Sequence, residues 1–194
     1  LSRPQRCLIA PMKRKTLRGL YSPELLESRI APAAFVVTSL ADDGSDSATE
    51  ITLREAIELA DLTPIADTIT FKKGLTGKIT LNGTQLEIDE SVTIKGPGID
   101  LLTISGNDAS RIFDIDDGTV AIKTVSISGL TLIDGKAAGD GGAIFDRESL
   151  ALMNVVIASS AATGDGGGVY ANTNGKLSVT GSIITGNHAD GVGG

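Results

Sequence analysis

The sequence predicts an all-β fold, a right-handed parallel β-helix with 25–27 residues per turn, closed at its N-terminal end by a short capping helix. Three observations predict it. Three segments, 125–137, 150–162 and 177–189, align without gaps at spacings of 25 and then 27 residues. The first two run into Gly139-Asp140-Gly141-Gly142 and Gly164-Asp165-Gly166-Gly167 and then into a short apolar run, Ala143 to Phe145 or Gly168 to Tyr170. Aromatics are only 3% of the 194 residues, while glycine reaches 24, so a core must be built from Val, Ile, Leu and Ala.

Within each repeat the pattern has the period of a half-buried strand. Val125 and Ile127, Leu150 and Leu152, Leu177 and Val179 alternate with polar or small residues. Turn chemistry follows at Gly129, Asn154 or Gly181, and a second short strand carries Leu132, Ile157 or Ile184. A single turn of this kind cannot hide its own apolar face. Stacking successive turns at the ~4.8 Å strand spacing places Ile127 on Leu152 on Val179, and Leu132 on Ile157 on Ile184. Leucine-rich repeats have a similar period, but their Leu-to-Asn spacing and helical convex half are not matched by Gly-Asp-Gly-Gly.

Upstream the repeat is degenerate. Short runs at 68–71, 78–81, 92–94, 101–104 and 111–113 are each closed by Gly, Asn, Asp or Pro, and roughly five turns fit between Asp67 and Gly194, a rod about 24 Å long. An open solenoid end exposes apolar side chains and unpaired strand edges, so it needs a cover. Residues 52–60 form the one convincing helix. Leu53, Ala56, Ile57 and Ala60 fall on one face, with Thr52 as N-cap and Glu55 three residues on, and this helix is assigned as the N-terminal lid. No lid is evident at the other end. Residues 189–194 match 162–167 position for position and then stop in mid-turn, so the chain is expected to be truncated or the N-terminal part of something longer.

The charge is uneven. Residues 1–30 carry seven Lys/Arg against two Glu, whereas 31–194 carry ten against 22 Asp/Glu, together the net −7. So acidic a body repels phosphate backbones, and nucleic acid is excluded as a partner. Residues 1–34 read as a basic, largely disordered leader, 35–66 as an N-terminal cap, and 67–194 as the parallel β-helix. Met12 followed by Lys13-Arg14-Lys15 offers a start and a charged segment, yet no apolar stretch of the length of a secretory signal follows. One Cys and one His exclude a disulfide framework and a Cys/His zinc site within the chain. No apolar run is long enough for a transmembrane helix.

The run 37–44 followed by Ile51-Thr52-Leu53-Arg54-Glu55-Ala56 resembles the CSLREA module that begins many bacterial surface β-helix proteins, with Ile51 in the place of that motif's Cys. Gly141-Gly142-Ala143-Ile144-Phe145 and Gly166-Gly167-Gly168-Val169-Tyr170 resemble the GGA[ILV] repeat of polymorphic outer membrane proteins, although the FxxN motif of that family is missing. Leu26-Glu27-Ser28-Arg29, before Ala31-Pro32-Ala33, resembles an LExR leader. The CSLREA and GGA[ILV] resemblances cover about residues 35–194 and imply a right-handed β-helix, a CSLREA-like capping helix and an extracellular or outer-membrane, cell-surface location. Adhesion is associated with the family, but it is not carried over residue by residue.

Chemistry is sparse. The strongest carboxylate cluster is Asp114, Asp116 and Asp117 with Arg111 and Lys123 nearby; Asp114 and Asp116 share a strand face, as a hard-cation or acid–base pair would. The competing reading of Asp116-Asp117-Gly118 is a turn in which Asp bonds its own backbone, and that reading is preferred. Residues 42–46 read as a solvated acidic loop. Asp140 and Asp165 recur at equal positions and read as structural residues of a glycine turn, since the calcium-binding Gly-Gly-x-Gly-x-Asp repeat is not supplied. His188 falls at a solvent-facing position equivalent to Lys136 and Ala161, with nothing to mark an acid or base partner. The glycine runs are not phosphate loops, no Gly-x-Ser-x-Gly elbow occurs, and the few aromatics lend no support to a sugar platform.

No catalytic, cofactor-binding or metal-binding residue is therefore assigned. The expected function is a non-catalytic structural or adhesive module, a monomer binding an unknown macromolecule, either a surface protein or a polysaccharide. The alternatives are the N-terminal part of a β-helix polysaccharide lyase or glycoside hydrolase whose catalytic rungs lie further on, and a non-functional fragment.

Overall fold

The structure, a computed structural model, describes residues 31–42, 50–172 and 175–194. The basic leader up to residue 30 and positions 43–46 of the expected acidic loop lie outside the described residues.

Strand β1 (Ala34–Val37) leads to helix α1 (Leu53–Asp61), after which the chain winds in parallel turns. The first turn is β2 (Asp67–Phe71), β3 (Gly77–Thr80) and β4 (Leu86–Ile88); the second is β5 (Val92–Lys95), β6 (Leu102–Ser105) and β7 (Phe113–Ile115). The third comprises β8 (Thr124–Ser128), β9 (Thr131–Ile133), β10 (Lys136–Ala137) and β11 (Ile144–Asp146). The fourth repeats it as β12 (Ser149–Met153), β13 (Val156–Ala158), β14 (Ala161–Ala162) and β15 (Val169–Ala171). A fifth begins with β16 (Leu177–Thr180), β17 (Ile183–Thr185) and β18 (His188–Ala189). The chain is thus a β-solenoid of about four turns, with part of a fifth.

Like strands of successive turns hydrogen-bond into four sheets, ordered β1-β2-β5-β8-β12-β16, β3-β6-β9-β13-β17, β4-β7-β11-β15 and β10-β14-β18. The register is the one the repeats predict: Ile127 pairs with Leu152 and Leu152 with Val179, while Leu132 pairs with Ile157 and Ile157 with Ile184. Each stack continues upstream. Ile69, Ile94 and Ile127 form one inward column and Ile79, Ile104 and Leu132 another. Leu86, Phe113 and Ile144 make the third. All nine side chains are buried. Each contributes roughly 1.5–3 kcal/mol of apolar burial, so the stacked columns are the main source of stability.

The 25- and 27-residue spacings hold where the repeats align. The turn before them is longer, since Val92 pairs with Val125, 33 residues on. Part of the excess is the segment 116–123 between β7 and β8, where only Arg147 and Glu148 separate β11 from β12.

The turn chemistry also repeats in space. Gly129, Asn154 and Gly181 all take left-handed backbone angles, φ 62°, 51° and 60°. Asn tolerates that region because its short polar side chain bonds locally. A second left-handed position, Asp134, Ser159 and Gly186, follows five residues later in each turn.

Helix α1 is capped as its sequence requires. The Thr52 hydroxyl accepts from Glu55 N–H and the Glu55 carboxylate accepts from Thr52 N–H, a full capping box. Its buried face is Leu53, Ala56, Ile57 and Ala60, packed across β1, β2 and β4 as a lid. The last described strands have no such cover: the inward positions Leu177, Val179 and Ile184 are 40–45% exposed.

Candidate functional site

The outward side of the β4-β7-β11-β15 sheet carries a row of charged and aromatic side chains. Because strand residues alternate in direction, Glu87, Asp114, Phe145 and Tyr170 form one outward column across four turns. Two carboxylates thus continue into two aromatic rings.

Asp114 is held by two side chains. Its Oδ2 accepts from Arg111 Nη1 at 2.8 Å and from Gln85 Nε2 at 2.6 Å. Arg111 also donates to Gln85 Oε1 and to the backbone carbonyls of Asp140 and Gly141, which ties β7 to the glycine turn of the next rung. Burial pushes the Asp114 carboxyl above the ordinary aspartate range; Arg111 and Gln85 oppose this, while Asp116 and Glu87 reinforce it.

The aromatic half is a stacked ladder. The Phe145 and Tyr170 rings lie 5.4 Å apart and 8° from parallel. The guanidinium carbons of Arg111 and Arg147 sit 5.0 and 5.4 Å from the Phe145 centroid. Ring stacking adds roughly 0.5–1.5 kcal/mol and each cation–π contact roughly 0.5–1 kcal/mol, contacts that favour this arrangement of the rings. Sequence reasoning gave the aromatics no role. The signal was present, because Ala143–Phe145 and Gly168–Tyr170 occupy equal places in their repeats.

Asp116 and Asp117 do not join Asp114 as an acid–base pair. Asp116 Oδ1 accepts from Gly118 N–H and Asp117 Oδ1 from Thr119 N–H, so both bond their own turn, as the preferred reading expects. Asp117 is held below the usual carboxylate range, first by the Thr119 backbone bond. Asp116 pairs with Arg147 at 3.3 Å and Asp117 with Lys123 at 3.4 Å; Lys123 also meets Glu90 at 2.7 Å. Asp116, Asp117 and Glu148 bring carboxylate oxygens within 4.8 Å of one another. Lys123 pairs with Asp117 and Arg147 with Asp116, so two of the three carboxylates belong to an ion-pair network at this corner.

The remaining candidates are structural. Asp140 Oδ1 accepts from Asp165 N–H at 2.8 Å, and Asp165 Oδ1 accepts from Val192 N–H at 2.8 Å, each carboxylate tying its turn to the next. A side chain on Gly164 would collide with the Asp140 carboxylate, and one on Gly191 with that of Asp165. Asp and Gly therefore recur together because one fills the space the other vacates. His188 faces solvent as expected, but it does have a neighbour, Asp190 Oδ1 at 3.2 Å. Asp42, expected in a solvated loop, is instead 7% exposed. It receives Arg54 Nε at 2.7 Å and Nη2 at 2.9 Å, and Asn82 N–H at 2.9 Å. A buried carboxylate requires such partners, and Arg54 also reaches the carbonyls of Thr84 and Gln85, locking the lid to the first turn.

Two hollows flank the outward ridge of β4. One, about 400 Å³, lies against α1 beside Arg54, Glu58, Asp61 and Asp89; the other, about 410 Å³, is lined by Thr84, Glu87, Arg111 and Lys136. Burial raises Asp61 to about 6, although its Oδ1 accepts from the N–H groups of Asp89 and Glu90. Among the described residues no helix is long and apolar enough to cross a membrane.

Against known proteins, no family model matches the chain, and no match is found among curated proteins or solved structures. The β-solenoid stands on the structure, and the resemblance to CSLREA and polymorphic outer membrane proteins on the sequence motifs alone.

Proposed function

We propose that the chain is a non-catalytic, adhesive β-solenoid module of a bacterial cell-surface or secreted protein, binding another macromolecule along the outward face of β4, β7, β11 and β15. The observation that carries this reading is the continuous column from Glu87 through Asp114 to Phe145 and Tyr170, a fixed ridge between hollows. Its carboxylate Asp114 is engaged by Arg111, and in the turn that follows β7 Asp116 is engaged by Arg147 and Asp117 by Lys123. Side chains locked by packing and ion pairs suit recognition, which favours preorganised surfaces. The bacterial surface setting comes from the CSLREA-like and GGA[ILV]-like motifs.

One observation favours a second reading, the N-terminal part of a polysaccharide-degrading enzyme. Asp114, raised by burial and bonded to Arg111, has the environment of a general acid. An assay for released reducing or unsaturated sugars, with and without Ca²⁺, separates the two. No release is expected from the 194-residue chain; release abolished by Asp114→Asn would replace the binding reading with the enzymatic one.

A further inference from the structure

At the end of β11 the inward column carries a carboxylate. Asp146 pairs with Ile115 on one side and Ala171 on the other and is 1% exposed. Its Oδ1 accepts from Glu148 N–H at 3.0 Å, while Oδ2 has no hydrogen-bond partner among the described residues. Glu148, two residues on, is 2% exposed and accepts from Lys123 N–H at 2.6 Å. Lys123 ends the segment 116–123, and its carbonyl receives Ser149 N–H. Asp146 and Glu148 are thus two neighbouring buried carboxylates, and the second clamps the end of the longest strand-to-strand corner on this edge.

The charged groups around Asp146 do not compensate it. Arg147, on its own corner, is turned to Asp116 and the Phe145 ring. Past β7, Asp116 and Asp117 carry the wrong sign, and Lys123 spends its ammonium on Glu90 and Asp117. From β12 (Ser149–Met153) and from Ala171 on β15 no ionisable side chain faces it. The charge that acts on it is that of Glu148, which repels it.

We propose that Asp146 carries a proton when the corner is closed, and that losing it as pH rises dislodges Glu148 from Lys123 and loosens the segment 116–123, a pH-sensitive latch on the edge of the solenoid. The physical basis is the cost of two buried like charges side by side with no cation between them. Burial raises Asp146 to about 6; the Glu148 N–H lowers it and the Glu148 charge raises it. The segment the latch holds exposes Val120 fully and Ile122 by 47%, beside a hollow of about 360 Å³ that also takes in Arg147. Opening would therefore alter the same edge that carries the aromatic ridge.

Amide hydrogen exchange at Lys123, read as a protection factor to remove the intrinsic pH dependence, is the direct test. Protection in the intact chain is expected to fall roughly tenfold between pH 5 and pH 7.5, about one pH unit of proton coupling. Asp146→Asn, a neutral isostere, should hold Lys123 at its pH 5 protection at both values, whereas Asp61→Asn should keep the wild-type response. Protection unchanged with pH, or a response that survives Asp146→Asn, would overturn the latch. Should Asp146→Asn not fold, carboxyl NMR of the unsubstituted chain decides: a midpoint for Asp146 near 6 supports the latch, and one at the ordinary aspartate value refutes it.

Discussion

Asp140 and Asp165 show how a single side chain can set the repeat. Each accepts one backbone N–H from the following turn and stands where the next glycine leaves room. Removing the Asp140 carboxylate strands the Asp165 N–H, so Asp140→Ala is expected to cost about 1.5 kcal/mol in urea unfolding, and Asp140→Asn much less. The Asp-with-glycine pattern was legible because both residues recur at fixed spacing. The hold of Gln85 and Arg111 on Asp114 was not. Gln85, Arg111 and Asp114 come from two different turns, and which side chains meet across a rung depends on the degenerate upstream register. Asp146 was missed for a different reason. Period two from Ile144 places it inward, but an acidic residue beside Arg147 and Glu148 reads as a solvated corner until its burial is seen.

Helix α1 and the strands show the same division between local and long-range information. The lid's capping box and buried face follow from nine consecutive residues, so the sequence predicts them directly. The stacked columns follow from periodicity, because a one-residue slip would turn each apolar set outward. What fastens the lid is long-range: Arg54 bridges Asp42 to the carbonyls of Thr84 and Gln85, across 12, 30 and 31 residues of chain. Arg54→Ala leaves Asp42 buried without its cation and is expected to cost about 3 kcal/mol. Loss of the cap in Thr52→Ala costs about 1 kcal/mol. Chemical unfolding of the two variants checks the order; an equal or smaller loss for Arg54→Ala would mean that packing alone fastens the lid. The 33-residue turn escaped the repeat reading because 116–123 has no counterpart in its neighbours.

Over the whole molecule the acidic balance becomes a dependence on pH. Asp61 and Asp146 are both raised to about 6, and Asp89 and Asp114 are raised as well, burial being the first cause in each. A carboxyl raised in the fold binds its proton more tightly there than in the unfolded chain. Stability from these groups therefore grows as pH falls through about 6 toward the ordinary aspartate value. Asp117, lowered by its turn, works in the opposite sense, and its contribution is lost only in stronger acid. The melting temperature is expected to be higher at pH 5 than at pH 7.5; a maximum at or above neutrality would show that the buried carboxyls are ionised without penalty.

The outward ridge is the feature on which the functional reading depends, so its direct test is binding. The intact chain and a Phe145→Ala/Tyr170→Ala double variant, matched for melting temperature, would be titrated against whole bacterial cells and a panel of neutral and acidic polysaccharides. Saturable binding by the intact chain that is lost in the double variant is the expected result. Absence of binding to every probe, or binding that survives removal of both rings, would contradict a recognition role for this face.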